Sequence, residues 1–147
     1  MESGIIISVN ISKRKGMRKE NVNEAICLED HGLKDDAHAG SGIRQVSLLS
    51  IESIDKMKAK GLSVRAGDFA ENLTVGDLNL LDFPVGTRFK AGEAILELSQ
   101  IGKECHTKCA IFYQAGDCIM PKEGVFAKVI KGGRVRVGDK IEAIKDA

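Results

Sequence analysis

The sequence has no tryptophan, 4% aromatic residues and only two prolines. It also has almost no excess charge, because 22 lysines and arginines stand against 21 acidic residues. Without a basic surplus, the chain lacks the long-range field that collects nucleic acid or an anionic membrane. With so few aromatic residues, it is poorly suited to stacking bases or to forming an aromatic membrane belt. These absences argue against nucleic acid and membrane as partners.

Long apolar runs are also missing. The first apolar stretch, Ile5 to Val9, is short and follows Glu2, so it resembles neither a signal peptide nor a membrane span. We therefore expect a cytoplasmic protein. Its four cysteines are then expected to stay reduced, because cytosolic thiol buffers oppose disulfides. Any role for them is reactivity or metal binding.

The length of 147 residues and the 43% hydrophobic content predict a single domain over residues 1–147. Short apolar or alternating runs, separated by recurrent glycines, predict a mainly β protein, either a barrel or a sandwich. The predicted strands are Ile5 to Ile11, Ala25 to Leu28, Gln45 to Leu49, Leu78 to Leu81, Ala94 to Leu98, Phe126 to Ile130 and Val135 to Ile144.

One helix is predicted after the third of these strands. Ser50 is a suitable N-cap, Ile54 and Met57 share one face with Ile51, and Gly61 supplies a stop. The similar pentapeptides at 85–89 and 137–141, each beginning Val-Gly, predict two alike strand entries.

Cys105 is the strongest candidate for a reactive group. It lies in Gln100-Ile-Gly-Lys-Glu-Cys-His-Thr-Lys-Cys109, where Lys103, His106 and Lys108 add positive or potentially positive charge. Nearby cations favour the thiolate, which is the form that attacks or carries sulfur. Cys27, between Ile26 and Leu28, and Cys118, in Gly-Asp-Cys-Ile-Met-Pro121, are expected to pack in the core.

A metal site is the alternative for the same region. Cys105, His106, Cys109 and Cys118 have the ligand types of zinc or an iron–sulfur centre. Their spacing does not match the common patterns, because no second close pair of ligands follows. A non-catalytic zinc-binding or adaptor domain therefore remains the competing hypothesis.

Two further segments carry candidate ligand-binding groups. The first is His31-Gly-Leu-Lys-Asp-Asp-Ala-His-Ala-Gly40, in which His38 lies in a glycine-flanked loop; Arg44 and Ser47, which follow, can donate to phosphate or oxyanion oxygens. The second contains Glu71, a possible base or loop anchor, and Asn72, whose amide can both donate and accept. The alternative for His38 is a hydrogen-bonded loop residue, and for Glu71 and Asn72 it is that both stabilise a turn.

In this order, the segments resemble the MOSC domain, the module also found at the C-terminus of molybdenum-cofactor sulfurases. The matching stretches are 32–50, 67–73, the Cys105 segment, 120–129 and 133–139. They look most like the short, free-standing bacterial members. Asp35 stands where the family loop usually has glycine, and Asp tolerates left-handed backbone better than most residues.

The resemblance implies a β-barrel related to that of pyruvate kinase, with a few short helices. It also implies that Cys105 is a catalytic sulfur carrier or a molybdenum ligand, and that Arg44, Ser47, Asn72 and His38 bind molybdopterin. The implied partners are molybdenum-cofactor biosynthesis proteins or a cysteine desulfurase, with pyridoxal phosphate only on that desulfurase. The resemblance is also compatible with a sulfur transferase activity. Stand-alone oxidoreductase activity is not expected, because catalytic relatives carry an additional N-terminal domain.

Overall fold

Seven strands close into a barrel around an apolar core. The computed structural model describes residues 3–12, 19–37, 39–40, 42–61, 65–67, 71–101 and 124–144. Its strands are β1 (Ser3–Ile11), β2 (Glu20–Val22), β3 (Glu24–Leu28), β4 (Gly32–Leu33), β5 (Val46–Ser50), β6 (Leu73–Gly76), β7 (Arg88–Ala91), β8 (Ala94–Ile101), β9 (Val125–Lys131), β10 (Gly133–Arg136) and β11 (Lys140–Ile144). The helix α1 (Ile51–Ala59) and a 3₁₀ turn (Leu80–Asp82) complete the described elements.

The barrel has the strand order β11, β7, β8, β9, β5, β6 and β1, and it closes because β1 pairs back onto β11. Neighbouring strands are antiparallel except β5 and β6, which run parallel with Leu48 beside Leu73. β2 extends the sheet at the end of β1, while β10, β3 and β4 form a separate three-stranded sheet. The prediction of a mainly β barrel is confirmed, and the sandwich alternative is wrong.

The apolar core includes side chains from all parts of the barrel. Leu48, Leu73, Leu96 and Ile141 come from four different strands and have almost no solvent contact. Burying each such side chain stabilises the fold by about 1.5–3 kcal/mol relative to exposure. Cys27 belongs to the same core, and burial raises the pKa of its thiol to about 12. The expectation that Cys27 packs as a hydrophobe is therefore confirmed.

The helix forms where the sequence predicts it. Ile54 and Met57 are buried where α1 packs on β5 and β6, and Gly61 follows the helix with a φ of 91°. Ser50 lies at the N-cap position, but its hydroxyl donates to the carbonyl of Leu78 at 3.3 Å and makes no cap bond. In the described part of the chain, no helix has the length and apolar character needed to cross a bilayer.

Two strand predictions were wrong. The apolar run at 78–81 enters a 3₁₀ turn in which Asn79 accepts a hydrogen bond from the Leu81 N–H at 3.2 Å, and the strand lies earlier, at Leu73–Gly76. Leu78 and Leu80 are buried without joining the ladder. The run at 135–144 is divided by a turn at Gly138, so that β10 and β11 belong to different sheets.

The two Val-Gly segments do behave alike. Gly86 and Gly138 have φ values of 98° and 93°, which only glycine adopts without strain, and each turn is followed by a strand. Those strands, β7 and β11, pair antiparallel with each other. The prediction of two similar strand entries is confirmed.

Candidate functional site

Five positions form a continuous row around one end of the barrel. β1 and β8 finish at this end, whereas β5, β6 and β9 start there. The backbone N–H of Asn10 donates to the Asn72 carbonyl at 2.7 Å, and that of Asn72 donates to the Ser47 carbonyl at 2.9 Å. The ladder then pairs Ser47 with Phe126 and Phe126 with Gln100. We call this row, Asn10, Asn72, Ser47, Phe126 and Gln100, the rim.

Chain order brings the ends of the three connections that carry the sequence motifs to the rim. Residues 102–123, which include Cys105, connect the end of β8 to the start of β9. The loop that includes His38 leads into β5, and the segment after α1 leads through Glu71 into β6. The topology therefore brings the ends of all three connections to the same end of the barrel.

Asn72 uses its whole side-chain amide within the protein. Its Oδ1 accepts from the backbone N–H of Ser47 at 3.0 Å and from the Ser47 hydroxyl at 3.2 Å. Its Nδ2 donates to the Asn10 carbonyl at 3.2 Å and to Asp36 Oδ2 at 3.1 Å. Because Asn72 is 1% exposed, a cofactor atom reaches this amide only by displacing one of these partners. The two predicted residues Ser47 and Asn72 are thus hydrogen-bonded to each other, and these bonds help to stabilise the rim.

Asp36 and Lys19 form a buried ion pair beneath the same row. Lys19 Nζ lies 2.7 Å from Asp36 Oδ1, and both side chains are 0% exposed. The Ser12 N–H and Asn72 Nδ2 also donate to Asp36, at 3.0 and 3.1 Å. Burial alone raises the pKa of Asp36, but the hydrogen bonds from Lys19, Ser12 and Asn72, together with the Lys19 charge, outweigh it and lower the pKa.

Glu71 anchors the segment that precedes β6. Its Oε2 accepts from the Gly67 N–H at 2.9 Å and from the Thr74 hydroxyl at 2.7 Å. Asn10 Nδ2 donates to the Glu71 carbonyl at 3.1 Å and to the Thr74 hydroxyl at 3.2 Å. Both Glu71 and Asn72 are buried. These contacts favour the loop-anchor role for Glu71 over a role as base.

Gln45 fixes the loop that leads into β5. Its Nε2 donates to Asp30 Oδ1 at 2.7 Å and to the Gly42 carbonyl at 3.0 Å, while its Oε1 accepts from the Val129 N–H at 2.9 Å. The approach is close enough that a Cβ on Gly32 would clash with the Gln45 carbonyl oxygen. The loop before Arg44 is thus held against β9.

Arg44 lies at the rim with an oriented guanidinium group. Its Nε donates to Gln100 Oε1 at 3.0 Å, and its Cζ lies 5.5 Å from the centroid of the Phe126 ring. Within the described residues, its two terminal nitrogens have no hydrogen-bond or ion-pair partner. The exposed fork therefore presents donors suited to the oxygens of a phosphate or carboxylate.

The remaining predicted residues lie outside the described part of the chain. These are His38, Cys105 and the alternative metal ligands His106, Cys109 and Cys118. In the residues that are described, no group of three or more His, Cys, Asp or Glu side chains is arranged to hold a metal ion. The sulfur-carrier and zinc hypotheses for these residues stay predictions.

Several residues of the site were not predicted from the sequence. Asn10, Lys19 and Asp36 belong to the buried network, and Gln100 and Phe126 belong to the rim. A partial signal was present, because Asn10 and Ser12 are polar where the strand Ile5 to Ile11 ends. Their partners could not be inferred, since Asn10 and Glu71 are 61 residues apart in the chain.

Comparison with known families decides the identity of the domain. A model described as the MOSC domain matches residues 35–142, more than half of the chain. The protein belongs to the MOSC domain family. The match extends over Arg44, Ser47 and Asn72 at the rim and over the segment with Cys105. The resemblance to this family is thereby confirmed.

Solved structures support the same MOSC fold. The chain is similar to the YuaD protein from Bacillus subtilis, with a TM-score of 0.80 and 18% identity over 96% of this chain and 95% of that one. It is also similar to YiiM from Geobacillus stearothermophilus, with a TM-score of 0.72 and 20% identity over 97% and 75%. YiiM from Escherichia coli gives a TM-score of 0.70 and 20% identity over 98% and 71%. A search of curated proteins finds no significant match.

Proposed function

We propose that this MOSC domain binds a phosphorylated pterin of the molybdenum-cofactor type and handles sulfur or metal through the thiol of Cys105. The family is associated with molybdenum-cofactor sulfurases, which supports the ligand class. The domain would act in sulfuration, maturation or delivery of the cofactor, with a biosynthesis protein or a cysteine desulfurase as its partner. Oxidoreductase chemistry is not part of the proposal.

The observation that carries the proposal is the position of Arg44. Its fork lies on the two strands that bound the Cys105 segment, because Gln100 is near the end of β8 and Phe126 is near the start of β9. Cys105 follows Ile101 by four residues, a span of at most about 14 Å of extended chain. One cofactor molecule can therefore place its phosphate on Arg44 and its other end at the Cys105 thiol.

Ser47, Asn72 and His38 complete the proposed binding site in different ways. The buried bonds of Asn72 favour indirect support, in which Asn72 and Ser47 keep the strand ends and the Asp36 loop in place. Direct contact of Asn72 with the heterocycle would require the amide to exchange one internal partner. His38 belongs to the loop that Gln45 and Asp36 hold, and we propose that it borders the cofactor.

The sulfur step is a thiol exchange. The Cys105 thiolate attacks the outer sulfur of a persulfide on a desulfurase, whose own sulfur leaves as thiolate while a new S–S bond forms on Cys105. The electrons balance without an added oxidant. The same thiolate is the proposed ligand if molybdenum is bound instead.

Mass spectrometry of the intact protein tests this directly. After incubation with a cysteine desulfurase and cysteine, the protein should gain the mass of one sulfur, which a reducing agent removes. Cys105→Ser should abolish the gain, whereas Cys109→Ser, a matched change in the same segment, should retain it. Purification without reductant should also recover pterin with the unchanged protein but less with Arg44→Ala.

Two results would overturn sulfur carriage. One is the absence of any reducible adduct on Cys105. The other is stoichiometric zinc that is lost on Cys109→Ala, since that would assign the cysteines to the competing metal site. Pterin that remains bound to Cys105→Ser would restrict the function to cofactor delivery.

A further inference from the structure

We propose that Gln100 and Phe126 are positioning residues, which hold Arg44 as an uncompensated receptor for an oxyanion such as phosphate. The biological ligand rests on the proposed function, because the phosphate of the pterin cofactor is an anion of this class. The contacts themselves involve only described residues and stand apart from Cys105.

Two contacts fix the guanidinium plane. Gln100 Oε1 occupies the Nε edge at 3.0 Å, and the Phe126 ring covers one face with its centroid 5.5 Å from Cζ. An edge contact and a face contact together restrict both rotation and tilt of the planar group. The two terminal nitrogens are left at the open end of the fork. An anion that binds there meets donors whose orientation has already been set, which lowers the entropic cost of binding.

The partner of Arg44 is neutral, and this distinguishes it from a second arginine on the same sheet. Arg88 also donates its Nε to a side-chain Oε1 of β8, at 3.2 Å, but its partner is Glu97. A carboxylate offsets the arginine charge, whereas the amide of Gln100 orients it without offsetting it. Among the described residues, no acid forms an ion pair with Arg44. Arg44 therefore keeps its charge for a ligand.

A bulge in β8 gives Gln100 access to this position. In regular alternation Gln100 would share a face with Leu96 and Leu98, which are both buried. The register shifts between Leu98 and Gln100 where the strand pairs with β9. The Ser99 hydroxyl in the bulge donates to the Phe126 carbonyl at 3.1 Å. Such a bulge redirects side chains, and Gln100 reaches the exposed Arg44 instead of the core.

The fork selects the class of ligand. Two terminal nitrogens in one plane match two oxygens of a phosphate or sulfate group, and a retained positive charge favours a dianion over a monoanion. A single arginine gives weak binding by itself. Inorganic phosphate is thus a suitable probe, and an organic phosphate gains additional contacts elsewhere.

Calorimetric titration of the purified protein with inorganic phosphate at low ionic strength tests the assignment. Gln100→Glu keeps the acceptor but introduces a compensating charge, and we expect phosphate to bind about fivefold more weakly. Gln100→Met removes the acceptor but adds no charge, so its loss of affinity should be smaller. The salt dependence separates charge compensation from loss of the acceptor. Phosphate affinity should fall less steeply with added salt in Gln100→Glu, but not in Gln100→Met. Phe126→Leu, which removes the ring face, should weaken binding without making this fall less steep.

Matched variants complete the design. Arg44→Gln should abolish phosphate binding, and Gln100→Glu in that background should have no further effect. Glu97→Gln, the reverse exchange beside Arg88, should leave the Arg44 site unchanged. Equal affinity of Gln100→Glu and the unchanged protein would overturn the proposal, as would no phosphate binding to the unchanged protein. Persulfide formation on Cys105 is read separately by mass, so failure here and failure of the sulfur proposal are distinguishable.

Discussion

Two charged pairs of the molecule have similar chemistry but opposite surroundings. Lys19 and Asp36 meet at 2.7 Å with both side chains 0% exposed. Arg88 and Glu97 meet at 3.2 Å with side chains that are 53% and 30% exposed. The buried pair lies beneath the rim, whereas the exposed pair joins β7 to β8 on the outside of the barrel. The difference shows where this fold depends on electrostatics.

The buried pair depends on a complete set of partners. Asp36 accepts hydrogen bonds from Ser12, Lys19 and Asn72. Asn72 is in turn hydrogen-bonded to Ser47 and Asn10. Removing water from charged groups is costly. Each lost partner therefore leaves a buried charge or dipole that no nearby group or water compensates. Water and salt screen the exposed pair and replace either partner at little cost. Changes to the two pairs should therefore have very different effects.

The largest effect is expected from Lys19→Met. This change keeps a long apolar stem but leaves the Asp36 carboxylate buried without its cation. We expect the free energy of unfolding to fall by about 3–5 kcal/mol, which urea denaturation measures. Adding Asp36→Asn to the same chain should recover part of the loss, because the stranded charge is gone. A loss below about 1 kcal/mol would contradict the role assigned to the buried pair.

A smaller effect is expected when pH is lowered. The pKa of Asp36 is lower in the folded protein than in the unfolded chain. Between the two values the unfolded chain binds more protons, so stability falls as pH falls. The contribution is complete above the unfolded pKa of about 3.9 and disappears as pH falls through the folded value.

The stability gap between the unchanged protein and Asp36→Asn should thus narrow in acid. This difference is measured from the urea midpoints of both proteins, at neutral pH and at a pH below the ordinary Asp pKa. Asp35→Asn removes an exposed carboxylate next to it and serves as the matched control. A gap that stays constant over this range would show that the charge of Asp36 does not contribute.

Local features of the fold were predictable because they depend on neighbours in the chain. The period of apolar residues gave most strands and the helix, and the Val-Gly segments marked two turns. Asp35 was expected to tolerate left-handed backbone, and its φ is 68°. The apolar pattern wrongly predicted a strand at 78–81, because Leu78 and Leu80 are buried without pairing in a β-ladder. Periodicity reports burial, and burial alone does not specify a strand.

The site was only partly predictable, for a reason that lies in chain separation. Arg44, Ser47 and Asn72 were identified, and the structure places them at one end of the barrel. Their partners are distant, since Asn72 bonds Asp36 from 36 residues away and Arg44 bonds Gln100 from 56. The bulge that redirects Gln100 has no sequence signal of its own. Closure of the barrel, which sets these pairings, is a property of all seven strands together.

The smallest effect is expected from Glu97→Gln at the exposed pair. The amide keeps an acceptor for Arg88, and both side chains remain in water, so the lost Coulomb attraction is small. Glu97 also lies opposite Lys128 across the β8–β9 ladder, so the change removes the acid from between two cations. We expect a loss of at most about 1 kcal/mol in urea denaturation, and less at high salt because screening weakens both attractions. A loss as large as that of Lys19→Met would break the comparison, because burial would then not determine the strength of these pairs.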